Sequence, residues 1–150
     1  MNINDEIKRA SDELNLTIEF IRASDFQQTL LTIKEKYTNR FEKGRVLWEI
    51  LDDFAAVQDE HGWSYIGDFV QNKPCIMFIS ENRNDTRNGG FIIRSGNDLT
   101  AILAESYGFE FYVTNTETDY LICFNDHNCL LGCGRAKKWV NQFAKKKSPK

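Results

Sequence analysis

The sequence predicts an α+β domain in which N-terminal helices pack on a mainly antiparallel five-stranded sheet, with one helical crossover and a C-terminal helix. Three observations carry that prediction. Apolar residues recur at helical spacing through much of residues 3–70, apolar runs of strand length crowd residues 75–133, and a last amphipathic stretch follows at 135–146. The chain has 150 residues, 41 % of them hydrophobic and 13 % aromatic, which fills one core and would cramp two. Nine Gly, two Pro and 27 % charged residues exclude a collagen-like, low-complexity or wholly disordered chain. Residues 1–150 therefore read as a single domain, with 145–150 as a disordered basic tail.

Ile3, Ile7, Ala10 and Leu14 place an amphipathic helix at 3–14, and Leu16, Ile18 and Phe20 alternate with polar residues as a short half-buried strand. Ser24-Asp25-Phe26-Gln27 has the form of a capping box opening a helix over 25–37. Beyond the polar stretch Thr38 to Gly44, Leu47, Ile50, Leu51 and Phe54 predict a third helix over 45–57. Trp63, Ile66, Phe69 and Val70 then mark a short fourth.

Cys75 to Ile79 is apolar throughout, as expected for a strand covered on both faces. A polar loop, Glu81 to Gly90, precedes a returning strand at Phe91-Ile92-Ile93. Gly96-Asn97-Asp98 opens the crossover helix, which stops at Tyr107-Gly108. Strands follow at Phe109–Thr114, Asp119–Asn125 and Asn128–Cys133. Ala136, Trp139, Val140 and Phe143 share one face of a final helix over 135–146, expected to fray from Lys145 because KKKSPK has nothing to bury.

The formal charge of −3 conceals a division. Seven of the 19 Lys and Arg lie between Arg135 and Lys150 with no acidic residue among them, so residues 1–134 carry 12 basic against 22 acidic groups, or −10. An acidic body favours a basic partner and disfavours nucleic acid, which is expected only at the Lys-rich C-terminal helix. MNINDEIKRA has no signal-peptide core, and no apolar run approaches the roughly 18 residues that span a bilayer, so a cytoplasmic location without membrane association is expected.

Cys123, His127, Cys129 and Cys133 resemble a zinc ligand set. A two-residue turn at Asp126-His127 would pair Phe124 with Cys129 and put Cys123 on the face opposite Cys129. Cys129 and Cys133 would stand about 13 Å apart at ~3.3 Å per residue, too far for a shared ion or a disulfide. The four cysteines are expected as reduced, buried hydrophobes, with no metal and no cofactor. His127 is expected as an exposed turn tip and His61 as a surface residue, and no catalytic signature emerges.

Phe109-Glu110-Phe111-Tyr112, the 119–128 stretch D-Y-L-I-C-F-N-D-H-N and the following L-L-G-C-G resemble a family of small uncharacterised bacterial α+β proteins. That family carries an F-E-Y-Y strand and a W-L-L-C-E-N-H-H hairpin. Trp48-Glu49-Ile50-Leu51 and Gly62-Trp63-Ser64-Tyr65-Ile66 are similar to its W-E-x-L and G-W-x-x-L helices. The family's His pair is Asp126-His127 here, and its hairpin Trp is Tyr120. The resemblance implies a compact α+β fold and, more distantly, likeness to the SMI1/KNR4-type immunity proteins of bacterial toxin systems.

The expected function is that of a non-enzymatic module of immunity-protein type binding another protein, in its sharpest form a basic toxin. The expected contact residues are Asp52, Asp53, Asp59, Glu60, Asn82, Arg83, Asp126 and His127, with charge speeding association. The alternative is a small-ligand-binding protein or enzyme with its site near the 125–128 hairpin, using His127, Asp126 or Tyr112 beside a concave pocket.

Overall fold

The computed structural model describes residues 3–38, 46–80 and 89–147. In chain order they form α1 (Ile3–Glu13), β1 (Ile18–Ile21), α2 (Ala23–Tyr37), a 3-10 turn at Leu47–Ile50, β2 (Phe54–Gln58), and a second 3-10 turn at Gly62–Tyr65 running into α3 (Ile66–Val70). β3 (Cys75–Phe78), β4 (Gly90–Ile93), α4 (Gly96–Glu105), β5 (Phe111–Thr114), β6 (Tyr120–Phe124), β7 (Cys129–Gly134) and α5 (Ala136–Lys147) complete an α+β chain. No helix among the described residues is long and apolar enough to cross a membrane.

The strands make one open sheet in the order β1-β4-β3-β5-β6-β7-β2, with every neighbouring pair antiparallel. The predicted five strands are its centre, and α4 is the predicted crossover, carrying the chain from β4 past β3 to β5. The count rises to seven among the described residues because both edges come from the N-terminal half.

One edge corrects the helix predicted over 45–57. Leu47 and Leu51 are buried as that stripe requires, but only one 3-10 turn forms between Val46 and Leu51. Asp52 N then donates to Tyr37 O at 2.8 Å, and Asp53 takes a left-handed φ of 52° that ends any helix. From Phe54 the period becomes two. Ala55 and Val57 turn inward opposite Gly132 and Leu130, so the backbone of β2 satisfies the outer edge of β7. Asp52 and Asp53 therefore sit in a turn, not on a helix face.

Alternation along the strands divides the core in two. Cys75, Met77, Phe111, Val113, Ile122 and Phe124 face the layer of α1, α3, α4 and α5. Ile76, Phe78, Tyr112, Leu121 and Cys123 face α2 and the Leu47–Ile50 turn. Burial on both faces explains why the central strands are apolar at nearly every position.

Smaller expectations also shift. α2 begins at Ala23 with Arg22 as its cap and no side-chain capping bond, so Ser24 falls inside the first turn and the capping box does not form. The 63–70 segment divides into a 3-10 turn and a five-residue helix. α5 continues through Lys147 instead of fraying at Lys145. Phe143 and Ala144 pack on the core, and cationic residues suit a helix C-terminus. Residues 148–150 of the predicted tail lie outside the described residues.

The β6–β7 hairpin corrects the register. Asn125 N donates to Cys129 O and Asn128 N to Asn125 O, both at 3.1 Å, with Asn128 left-handed at φ 60°. The loop thus has three residues, the last being an Asn that tolerates this conformation, instead of two. Phe124 pairs with Leu130 and Cys123 with Leu131, a slip of one residue that flips the faces. Cys123 consequently shares a face with Cys129 and Cys133.

Candidate functional site

Four segments distant in sequence meet at one end of the sheet: the Gly62–Tyr65 turn, the end of α4, the approach to β5, and the β6–β7 turn. Gly62 lets the first lie flush on the sheet, since a Cβ there would stand 3.2 Å from both Leu130 Cβ and the Phe124 ring. Asp59 N donates to Asn128 O at 2.9 Å, while the Asp59 carboxylate accepts from His61 N at 2.9 Å and from Tyr65 Oη at 2.8 Å. The end of α4 is tied to α1 by Glu6, a buried carboxylate. It accepts from Arg9 Nε at 2.9 Å, Arg9 Nη2 at 2.8 Å and Tyr107 N at 3.1 Å.

Between these segments lies a cavity of about 410 Å³, within the size range of small-molecule sites. Trp63, Tyr107 and Phe109 line it, and Phe111 and Phe124 form its apolar floor. Its polar lining includes Glu110, Asn125, Asp126 and Asn128, with no Lys or Arg among the described residues. Glu110 Oε1 accepts from Trp48 Nε1 and from Asp126 N, each at 3.1 Å. Burial pushes the Glu110 carboxyl above its ordinary range, and the neighbouring Asp126 charge adds to the rise. Asn125 is 3 % exposed, and its Oδ1 accepts from His127 N and Cys129 N at 3.0 Å each. Its Nδ2 finds no acceptor among the described residues, an uncommon state for a buried amide.

The sequence-predicted residues divide into groups. Asp126 lines the cavity and is 73 % exposed. His127, 69 % exposed at the tip, does not line it; its ring meets the edge of Trp48 at 5.7 Å, and its Nε2 lies 3.5 Å from Asp126 Oδ1. Asp59 and Glu60 follow β2 at this same end. Asp52 and Asp53 lie at the other end of that strand, roughly 20 Å away at ~3.3 Å per residue, and Asp53 pairs with Lys137. The eight residues therefore do not form one surface. Asn82 and Arg83 lie outside the described residues. Tyr112 cannot serve the cavity: it is fully buried on the opposite face, where its hydroxyl accepts from Trp48 N at 2.8 Å.

All four cysteines are free thiols, three of them buried. Burial pushes the Cys75 and Cys133 thiols up to about 12 and raises Cys123 and Cys129 as well, which leaves little nucleophilic thiolate near neutrality. No group of three or more His, Cys, Asp or Glu among the described residues is placed to hold a metal ion.

Sequence reasoning missed Glu110, Asn125, Trp63, Tyr107 and Phe109 as a set. One signal was present. Glu110 is a lone charge between Phe109 and Phe111, at the mouth of a strand otherwise apolar. The cavity and the sheet define the class: an α+β protein with an open antiparallel sheet and an aromatic, acidic hollow at one end. No family model matches the chain, and no curated protein and no solved structure matches it.

Proposed function

We propose that this is a non-enzymatic binding protein whose ligand is a small molecule held in the cavity beside the 125–128 turn. The observation that carries this reading is the cavity itself, a hollow of about 410 Å³ with aromatic walls and a few convergent polar groups. Its lining supplies hydrogen-bonding and stacking groups, while none of the four thiols lines it and His127 stands outside.

Ala104→Trp tests the reading, because Ala104 lines the cavity from the exposed side of α4 and an indole there fills it without disturbing the core. Thermal unfolding is followed with nucleosides, amines and amino acids, each at millimolar concentration. At least one should stabilise the wild type, by about 2.7 kcal/mol at a hundred times its dissociation constant, and not the Trp variant. If none stabilises the wild type, or if the variant responds equally, the reading is wrong.

A second reading, an immunity-type module engaging a basic protein, draws support from Glu60 and Asp126. These carboxylates are 74 % and 73 % exposed at this end of the sheet, and neither pairs with Lys or Arg among the described residues.

A further inference from the structure

We infer that the cavity takes an arylalkylamine, its ammonium held by the Glu110 and Asp126 carboxylates and its ring laid on the aromatic wall. The inference rests on the small-ligand reading above and names the ligand's chemical class.

The carboxylates decide the charge. Glu110 and Asp126 both line the cavity, Asp126 N donates to Glu110 Oε1 at 3.1 Å, and the two carboxyl groups are in side-chain contact. Like charges brought together repel, and little in the protein answers this pair. The His127 imidazole lies 3.5 Å from Asp126 Oδ1, and neither carboxylate pairs with Lys or Arg among the described residues. The strain shows at Glu110, whose carboxyl is raised by burial and then by the Asp126 charge. An ammonium ion beside both groups relieves the repulsion and donates to ionised acceptors, the stronger kind of hydrogen bond. An anion meets only like charge, since no Lys or Arg lines the cavity among the described residues.

The walls decide the body that carries the charge. Tyr107, Phe109, Phe111 and Phe124 form a continuous run of rings, with successive centroids 6.0, 6.1 and 6.2 Å apart. Such a wall suits a further flat ring, and aromatic faces also attract a cation. Asn125 supplies an independent sign of an occupant. It lines the cavity at 3 % exposure with its Oδ1 taken by the turn, and its Nδ2 has no acceptor among the described residues. A lysine on a basic protein brings an ammonium without a ring or a spare oxygen, so these features favour a free amine carrying both.

The probe is tyramine, titrated calorimetrically into the full chain beside two relatives of nearly the same shape: neutral 4-hydroxyphenethyl alcohol and anionic 3-(4-hydroxyphenyl)propionate. Tyramine should bind at one site, the alcohol about tenfold more weakly, and the propionate not at all. Asp126→Asn and Glu110→Gln each remove one charge at nearly constant shape. Each should weaken tyramine several-fold, and the pair together should bring it down to the alcohol, whose own binding stays unchanged. Asp126 is 73 % exposed, so Asp126→Asn decides the matter should Glu110→Gln not fold.

Equal binding of tyramine and the alcohol, or undiminished tyramine binding to the folded variants, overturns the inference and leaves the cavity reading standing. A tetralysine peptide that binds more tightly than tyramine, and loses that binding in the same variants, overturns it in favour of a basic protein. Silence from tyramine overturns it too, and the cavity reading then falls only if the wider Ala104→Trp panel is also silent.

Discussion

Glu6 shows what one side chain does for the site. Its carboxylate is buried, yet Arg9 grips both oxygens and Tyr107 N donates to one of them, so the lip of the cavity hangs on a residue 101 positions earlier. The hydrogen bonds from Arg9 hold its pKa below the usual carboxylate range, with Tyr107 N adding to the effect. A depressed folded-state pKa contributes stability that is complete above the unfolded value and is lost as pH falls through the folded one. Glu6→Gln should therefore lower the melting temperature at pH 7 and flatten its fall on acidification, an outcome read from melts between pH 7 and pH 2. Parallel wild-type and variant profiles would discount the Arg9 contact. The helical stripe of Ile3, Ile7 and Ala10 made α1 legible, but Glu6 carries no sequence mark. Its importance comes from contacts with Arg9 and, far along the chain, Tyr107.

At the scale of elements, α3 and α4 approach closely. A Cβ on Gly96 would stand 2.1 Å from Gly67 O, and one on Gly67 would stand 2.3 Å from Thr100 Oγ1. Helix propensity favours Ala over Gly by roughly 0.5–1 kcal/mol, but forcing two backbones apart costs about 1–3 kcal/mol or more, so the steric term wins. Gly96→Ala is expected to destabilise the protein by that larger amount in urea titrations, and a neutral or stabilising result would contradict the contact. The same scale shows where periodicity misleads. Leu47, Leu51 and Phe54 fit a helix, yet the unpaired edge of β7 recruits Phe54–Gln58 as a strand. Long apolar runs such as Cys75–Ile79 and Tyr120–Phe124 were legible because burial on both faces leaves one consistent pattern.

For the whole molecule, the division between an acidic body and a basic last helix was legible from composition, whereas its distribution over the surface was not. The acidic candidates fall at two ends of β2, and Lys137 from α5 neutralises Asp53 at one of them. If a basic protein docks at the cavity end, Glu60→Lys with Asp126→Lys should slow association about tenfold at low salt. Asp52→Lys with Asp53→Lys should leave it nearly unchanged. A polylysine peptide followed by stopped-flow fluorescence gives the comparison, and equal effects from both pairs would remove the preference for this end. The cavity escaped the sequence for a geometric reason: its walls come from residues 63, 103–104, 106–111, 124–126 and 128, which only the folded sheet brings together.

The two borrowed edges also set a timetable for the ribosome. Ile18 finds its partner in Ile93, and Phe54 finds its own in Cys133, so each strand is synthesised more than 70 residues before the neighbour that completes it. At about 5–20 residues per second, that leaves both segments waiting several seconds with unsatisfied backbone. Phe20 and Phe54, which stay partly exposed even in the finished sheet, are open throughout that interval to capture by a chaperone or by another nascent chain.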